Sequence, residues 1–205
     1  MSELQFPADM VTAIDSNMGT TDYDELRKLW VYRAYTDLKF VWGSDTIGAS
    51  AFDNAQLTTA LIPQGVTTLG EHAFHMCIKL TTASIPEGVT ALGGQFTNCY
   101  TLKEISLPKG LLSIGSYAFN AAKFTKLVIP STVTKIGDSG VFNCVAGAKI
   151  YFTGTPTTFG SNAFSPAASK TFDIYVPWSE GEVANAPWGA TKATIHYNYT
   201  YTGME

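Results

Sequence analysis

A repeat of 22 or 23 residues constrains this chain more than any other feature. A large apolar residue precedes glycine at Gly48, Gly70, Gly93, Gly115, Gly137 and Gly160, and those intervals never depart from 22 or 23. A phenylalanine follows four residues later at Phe52, Phe74, Phe119 and Phe164, with Phe142 one residue late and Phe96 one early. Eight residues before each glycine stands Phe40, Ile62, Ile85, Leu107, Ile129 or Phe152. Three ladders that keep step across six windows describe a solenoid, in which each coil supplies one short strand and one connecting arc.

The strand lies just before the proline of each window. Period-two alternation turns one set of side chains inward: Ala60 with Ile62, Ala83 with Ile85, Ile105 with Leu107, Leu127 with Ile129, and Ile150 with Phe152. Leu38 with Phe40 and Ile174 with Val176 extend the series, so seven stacked strands are expected, about 29 Å along the stack. Pro63, Pro86, Pro108 and Pro130 end their strands, because proline has no N–H to give to a ladder. The Pro-x-Gly phrase after them reads as a turn with glycine free to take positive φ. Pro130 lacks that glycine, and Thr153 stands where a fifth proline is expected. The phenylalanines are expected to stack as an aromatic spine.

With 45% hydrophobic and 15% charged residues the chain is globular, not disordered. Its net charge of −4, without any basic run, gives nucleic-acid binding no support. No apolar stretch approaches the ~20 residues of a membrane span. The opening MSELQFPADM has no basic and apolar signal-peptide pattern, so export by another route, an origin as a fragment, or no crossing of a membrane by the general pathway is expected. Cys77, Cys99 and Cys144 are too few for a disulfide framework. Cys77 and Cys99 share a repeat slot with Ala55, Ala122, Val145 and Ala167, which makes them small core filler.

The phrase IPQGVTTLGEHAFHMCIKLTTASIP, Ile62 to Pro86, resembles the BspA-type (Treponema pallidum type) leucine-rich repeat, and the resemblance covers roughly residues 38–177. It implies a curved solenoid with a β-sheet on one face, and roles in surface attachment and recognition. Gln95 departs from the pattern by replacing the alanine before phenylalanine, and DSGVFNC carries an extra residue. From Tyr175 onward the chain resembles a segment that follows such repeats in proteins of gut-bacterial phages and prophages. The expected organisation is an N-terminal cap over 1–37, the solenoid over 38–177 and a C-terminal β cap over 178–205. In the first cap, Tyr23, Leu26, Leu29, Trp30 and Ala34 fall on one face of a helix that Asp22 and Glu25 would start. In the second, Ile195, Tyr197, Tyr199 and Tyr201 alternate with polar residues as a strand, with Trp178 and Trp188 packing beneath.

Catalytic chemistry has no pattern here. His72, His75 and His196 are the only imidazoles, and none has an evident nucleophile and orienter. EHAFHMC mimics a metal site, but Cys77 belongs to the core slot while the histidines occupy variable positions. No catalytic residue, cofactor or metal is expected. Recognition would fall on the outward alternates of the strands, which are small and polar in the middle coils and larger towards the C-terminus. The expected patch is Lys126, Val128, Lys149, Tyr151 and Tyr175, suited to a protein or glycan at a cell surface. The expected function is attachment, as an adhesin or a phage-tail receptor-binding component, extracellular or virion-associated. The other reading is a structural part of a virion or surface assembly whose partners are neighbouring subunits. A homo-oligomer is compatible with either.

Overall fold

The computed structural model describes the backbone of residues 37–39, and residues 45–62, 64–141, 145–164, 171–184, 186, 188–190 and 192–203. The segment in which an N-terminal helix is expected, and Phe40, Pro63, Phe142, Cys144 and Ala167, lie outside the described residues.

Each coil carries a longer strand before the turn: β1 (Asp37–Lys39), β3 (Thr59–Leu61), β5 (Thr82–Ser84), β7 (Glu104–Ser106), β9 (Lys126–Ile129), β11 (Lys149–Phe152), β13 (Phe172–Tyr175) and β14 (Ala193–His196). All of their pairings are parallel, as successive coils of a solenoid require. The arc is not featureless. It holds a second, two-residue strand just before each glycine: β2 (Thr46–Ile47), β4 (Thr68–Leu69), β6 (Ala91–Leu92), β8 (Ser113–Ile114), β10 (Lys135–Ile136) and β12 (Thr158–Phe159). Period-two arithmetic over two residues carries no signal, which is why these strands were not legible.

The first row contains eight strands where seven were expected, and they form two four-stranded sheets, β1-β3-β5-β7 and β14-β13-β11-β9. The eighth is β14, whose Ile195 registers on Ile174. Stacking therefore runs on beyond residue 177. The alternation from 194 to 201 does not make one strand, however. β14 ends at His196, Asn198 takes a left-handed φ of 56°, and residues 199–202 leave regular structure. Trp178 and Trp188 are buried as expected, with Trp188 stacked on Phe159 at 4.2 Å.

The glycine row is held by contact, not by unusual dihedrals. A Cβ on Gly70 would sit 2.3 Å from the backbone nitrogen of Ala49 and 2.5 Å from the carbonyl carbon of Gly48. On Gly137 it would meet Ser116 and Gly115 backbone at 2.6 and 2.9 Å, and on Gly160 the Asp138 and Gly137 backbone at 2.5 and 2.8 Å. Gly70, Gly115, Gly137 and Gly160 each lie against the backbone of the preceding coil at its glycine, and each donates its N–H to the residue that precedes that glycine, as Gly70 to Ile47 and Gly137 to Ile114; Gly93 is the exception. In the Pro-x-Gly turn the expectation of positive φ holds at Gly65 alone; Gly88 is there because a Cβ would strike Thr67 and Val66 at 2.9 and 3.0 Å. The turn does not depend on that glycine, since Val133 donates to Pro130 at 3.1 Å just as Val89 does to Pro86. Thr153, in the slot of the missing proline, has an N–H and gives it to Ile129 at 3.0 Å.

The second row breaks between β4 and β6, leaving β2-β4 apart from β12-β10-β8-β6. Gln95, the odd residue of its coil, spans this break. The Gly93 N–H, which by the pattern of the row would donate to Leu69, donates instead to the Gln95 side-chain oxygen, and the Gln95 amide nitrogen donates to Leu69 O at 2.9 Å. The side chain stands in for a missing ladder bond, and it is buried because it is satisfied at both ends.

Inside, Phe52, Phe74 and Phe96 stack at 5.3 and 5.1 Å, and Phe119 continues the spine at 6.2 Å from Phe96. In the next coil Val141 stands in register with the spine slot. Val141 donates to Ala163 as Phe119 does to Gly140, and it is buried. Threonine hydroxyls add a set of bonds between coils: Thr81 to Thr58 O, Thr101 to Ile78 O and Leu80 O, and Thr132 to Lys109 O and Leu111 O. They add to the backbone bonds between coils, as at Thr58 O, which also accepts the Thr81 N–H at 2.8 Å.

Replacing Phe119 by alanine is expected to destabilise the fold by about 3–5 kcal/mol, read from the denaturant midpoint. An unshifted midpoint would contradict a close-packed spine. Gln95→Leu is expected to cost about 1–3 kcal/mol by stranding the Gly93 N–H and the Leu69 carbonyl. Gly137→Ala is expected to lower the midpoint clearly, while Gly110→Ala, whose Cβ would meet nothing closer than 3.4 Å, stays within about 1 kcal/mol.

Candidate binding face

The outward alternates of the longer strands form two rows along the stack. One runs through Thr82, Glu104, Lys126, Lys149, Asp173 and Thr194; the other through Ser84, Ser106, Val128, Tyr151, Tyr175 and His196. The rigid ladder fixes the spacing of these side chains, so their chemistry is set coil by coil. Towards the N-terminal end the rows are mostly hydroxyls; from β9 onward they carry lysine and aromatic rings.

The aromatic end is continuous. Tyr151 and Tyr175 stack at 4.7 Å and 14°, and His196 stacks on the other side of Tyr175 at 4.4 Å and 9°. The imidazole is oriented by Asp173, whose Oδ1 lies 2.8 Å from Nε2. The tail beyond β14 then folds back over the same face. Tyr199 reaches Tyr175 at 4.7 Å and Tyr151 at 5.9 Å, and Tyr201 reaches Tyr151 at 5.1 Å. The Lys126 ammonium stands 5.5 Å from the Tyr151 ring and 5.4 Å from the Tyr201 ring, in cation–π range of both. The tail's path is set by backbone bonds from Asn198 to Trp178 O and from Tyr199 to Val176 O. Desolvation, and then the Asp173 carboxylate, raise the Tyr175 phenol above its ordinary value, so it stays a neutral hydroxyl at physiological pH.

All five residues of the expected patch stand on this outer face, yet they are not equally available. Lys149 is exposed, while Lys126, Val128 and Tyr175 are half-buried. Tyr151 is 1% exposed, so the expectation that it stands open is corrected: Tyr175 and the tail cover it. Sequence reasoning missed Asp173, His196, Tyr199 and Tyr201 as members of the cluster. The first two were within reach, because FDIY at 172–175 and ATIH at 193–196 share the repeat's alternation. The tail's return was not, because it depends on one left-handed residue.

Away from this face, Cys77 and Cys99 lie in the core, their thiols donating to Phe52 O and Phe74 O at 3.1 Å. The hydrogen bond with the Cys99 thiol, and then burial, push the Cys77 thiol up. His75 pairs with Asp53 through Nδ1 at 2.8 Å and meets Asn98 at Nε2, at 3.3 Å. EHAFHMC is thus split between surface and core. Among the described residues no group of three or more histidine, cysteine, aspartate or glutamate side chains is placed to hold a metal ion, and no helix is long and apolar enough to cross a membrane. In a Cys144→Ser background, both remaining thiols are expected to resist a thiol reagent such as dithionitrobenzoate until denaturant is added. Prompt labelling of the folded protein would contradict their burial.

Six copies of the BspA-type leucine-rich repeat model match residues 45–170. Among solved structures, the chain is similar to a leucine-rich repeat protein from Bacteroides ovatus ATCC 8483, at 31% identity and a TM-score of 0.54, over 70% of this chain and 39% of that one. It is also similar in fold to the pneumococcal vaccine antigen PcpA, at 17% identity and a TM-score of 0.51, over 70% of this chain and 42% of that one. The chain thus spans about two-fifths of the length of the proteins it resembles. No curated protein matches it significantly. The ladders of glycine, phenylalanine and strand residues, and the family match over the same coils, lead to one conclusion: the chain belongs to the BspA-type leucine-rich repeat family.

Proposed function

We propose that this chain is a non-enzymatic recognition module that attaches to a protein or glycan at a cell surface through the outer face of β9, β11 and β13. The observation that carries this reading is the change of chemistry along one rigid sheet. Thr82, Ser84 and Ser106 give way to Lys126, Lys149 and the stacked Tyr175–His196 pair, with no irregularity of backbone inside β9-β11-β13-β14 to require it. Large aromatic and cationic groups fixed on strands lose little conformational entropy on binding, which is what contact hot spots need. Membership of a repeat family that supplies extended binding surfaces supports the same reading. In this role the protein acts outside the cell, as an adhesin or as the receptor-binding component of a phage tail.

The test is to apply the labelled protein to a glycan array and to an array of bacterial and host extracellular proteins. Lys149→Ala/Tyr175→Ala is expected to reduce the signal of the bound partner by about tenfold or more, in protein that still unfolds cooperatively. A partner bound equally well by the double variant would place recognition elsewhere.

A further inference from the structure

Beyond the tyrosine cluster the outer face does not flatten. Tyr201, the last tail ring on that cluster, also forms one wall of a groove of about 760 Å³ that runs on over β9, β7 and β5 to Leu61 of β3. The groove lies where the first row loses its ladder: β7 and β9 are neighbours in the stack but belong to different sheets. The break coincides with Phe124, which takes the buried slot held by Leu57, Leu80 and Leu102 in earlier coils and sets its ring edge-on to Phe119 at 5.3 Å. There the inward residues Ile105 and Leu107 are only partly covered, whereas Ala83 and Leu127 on either side are buried. Their aliphatic surface, with Val128, floors the groove. Among the described residues of its rim, Lys109 and Lys126 outnumber the carboxylate of Glu104.

We propose that this face is a docking site for an extended polypeptide segment of a protein partner, with aromatic or aliphatic side chains at alternate positions. The chain's own Tyr199 and Tyr201 occupy one end of the site, and the groove continues it. The tail is the evidence for the class of ligand. Its two rings are spaced i, i+2, the period at which an extended chain presents side chains to one surface, and both are seated on the face. The groove prolongs the same line, across three strand spacings or about 14 Å, which about four extended residues would cover. A peptide fits better than a sugar because the floor is aliphatic and, among the described residues, Tyr201 is the one aromatic ring that lines the groove. A partner segment displaces Tyr201, takes its place and runs on over the groove. Because the tail is tethered, it competes at a high effective concentration and screens out weak ligands. This deepens the proposed recognition role by naming a polypeptide as the partner.

The probe is a fluorescein-labelled peptide with the sequence of residues 197–203, followed by fluorescence anisotropy. Saturable binding is expected to Tyr199→Ala/Tyr201→Ala, and binding at least about tenfold weaker to the unaltered protein, whose site is already filled. The same peptide lengthened at its C-terminus by Ser-Leu-Ser-Leu is expected to bind at least about tenfold more tightly, and Ser106→Arg in the groove is expected to abolish that gain. If the double variant does not unfold cooperatively, Tyr201→Ser alone serves with the same readouts. A folded variant that ignores both peptides, or a longer peptide whose binding Ser106→Arg leaves untouched, overturns the proposal. The array experiment reads Lys149 and Tyr175 against natural partners, so its outcome is independent of this one: a glycan hit there with no peptide binding here would leave the recognition role standing and remove the peptide.

Discussion

Contact between successive glycines governs this architecture. Backbone touches backbone at that row, and nothing larger than hydrogen fits between Gly70 and Gly48 or between Gly137 and Gly115. A fixed closest approach at one point of every coil obliges the rest of each coil to span the same rise. Strand, turn, spine and hydroxyl then fall on their counterparts one coil away, and each kind of bond is repeated: glycine N–H to the preceding coil, threonine hydroxyl to the preceding coil, ring on ring. The extra residue of DSGVFNC falls in the Gly137 coil, where that contact is tight, whereas Gln95 falls where it is relaxed. A Cβ on Gly93 would meet nothing closer than the Gln95 side chain at 3.9 Å, and it is at this coil that the second row opens.

The two rows break at different coils and with different results. Between β4 and β6 the gap is closed by the Gln95 amide, a buried polar group justified by two bonds. Between β7 and β9 it is left open to solvent, and the inward side chains Ile105 and Leu107 become the floor of a groove. The same departure from regular stacking is in one place a repair of the core and in the other a feature of the surface.

The aromatic end of the outer face shows how much a short tail can change. As strand alternates, Tyr151 and Tyr175 are equivalent positions in adjacent coils. Tyr199 and Tyr201 make them unequal: Tyr151 becomes core, and Tyr175 becomes the visible part of a stack that includes His196 and is steadied by Asp173. Lys126, read from its strand as a free surface charge, is drawn over two rings.

The sequence by itself determined the period, the inward residues of each strand, the phenylalanine spine, the core role of Cys77 and Cys99, and the family. All of these follow from interactions between identical positions one coil apart, so a one-dimensional repeat encodes them completely. Only the tertiary structure decided the rest. Val141 stands in register with the spine slot because backbone register, not residue type, selects the position. Gln95 becomes a ladder bond because a break happens to face it. Tyr151 is buried because Asn198 turns left-handed and sends a non-repeating tail back across the sheet. Contacts between a repeat and something outside its repeat have no periodic signature, and the candidate face is made largely of such contacts.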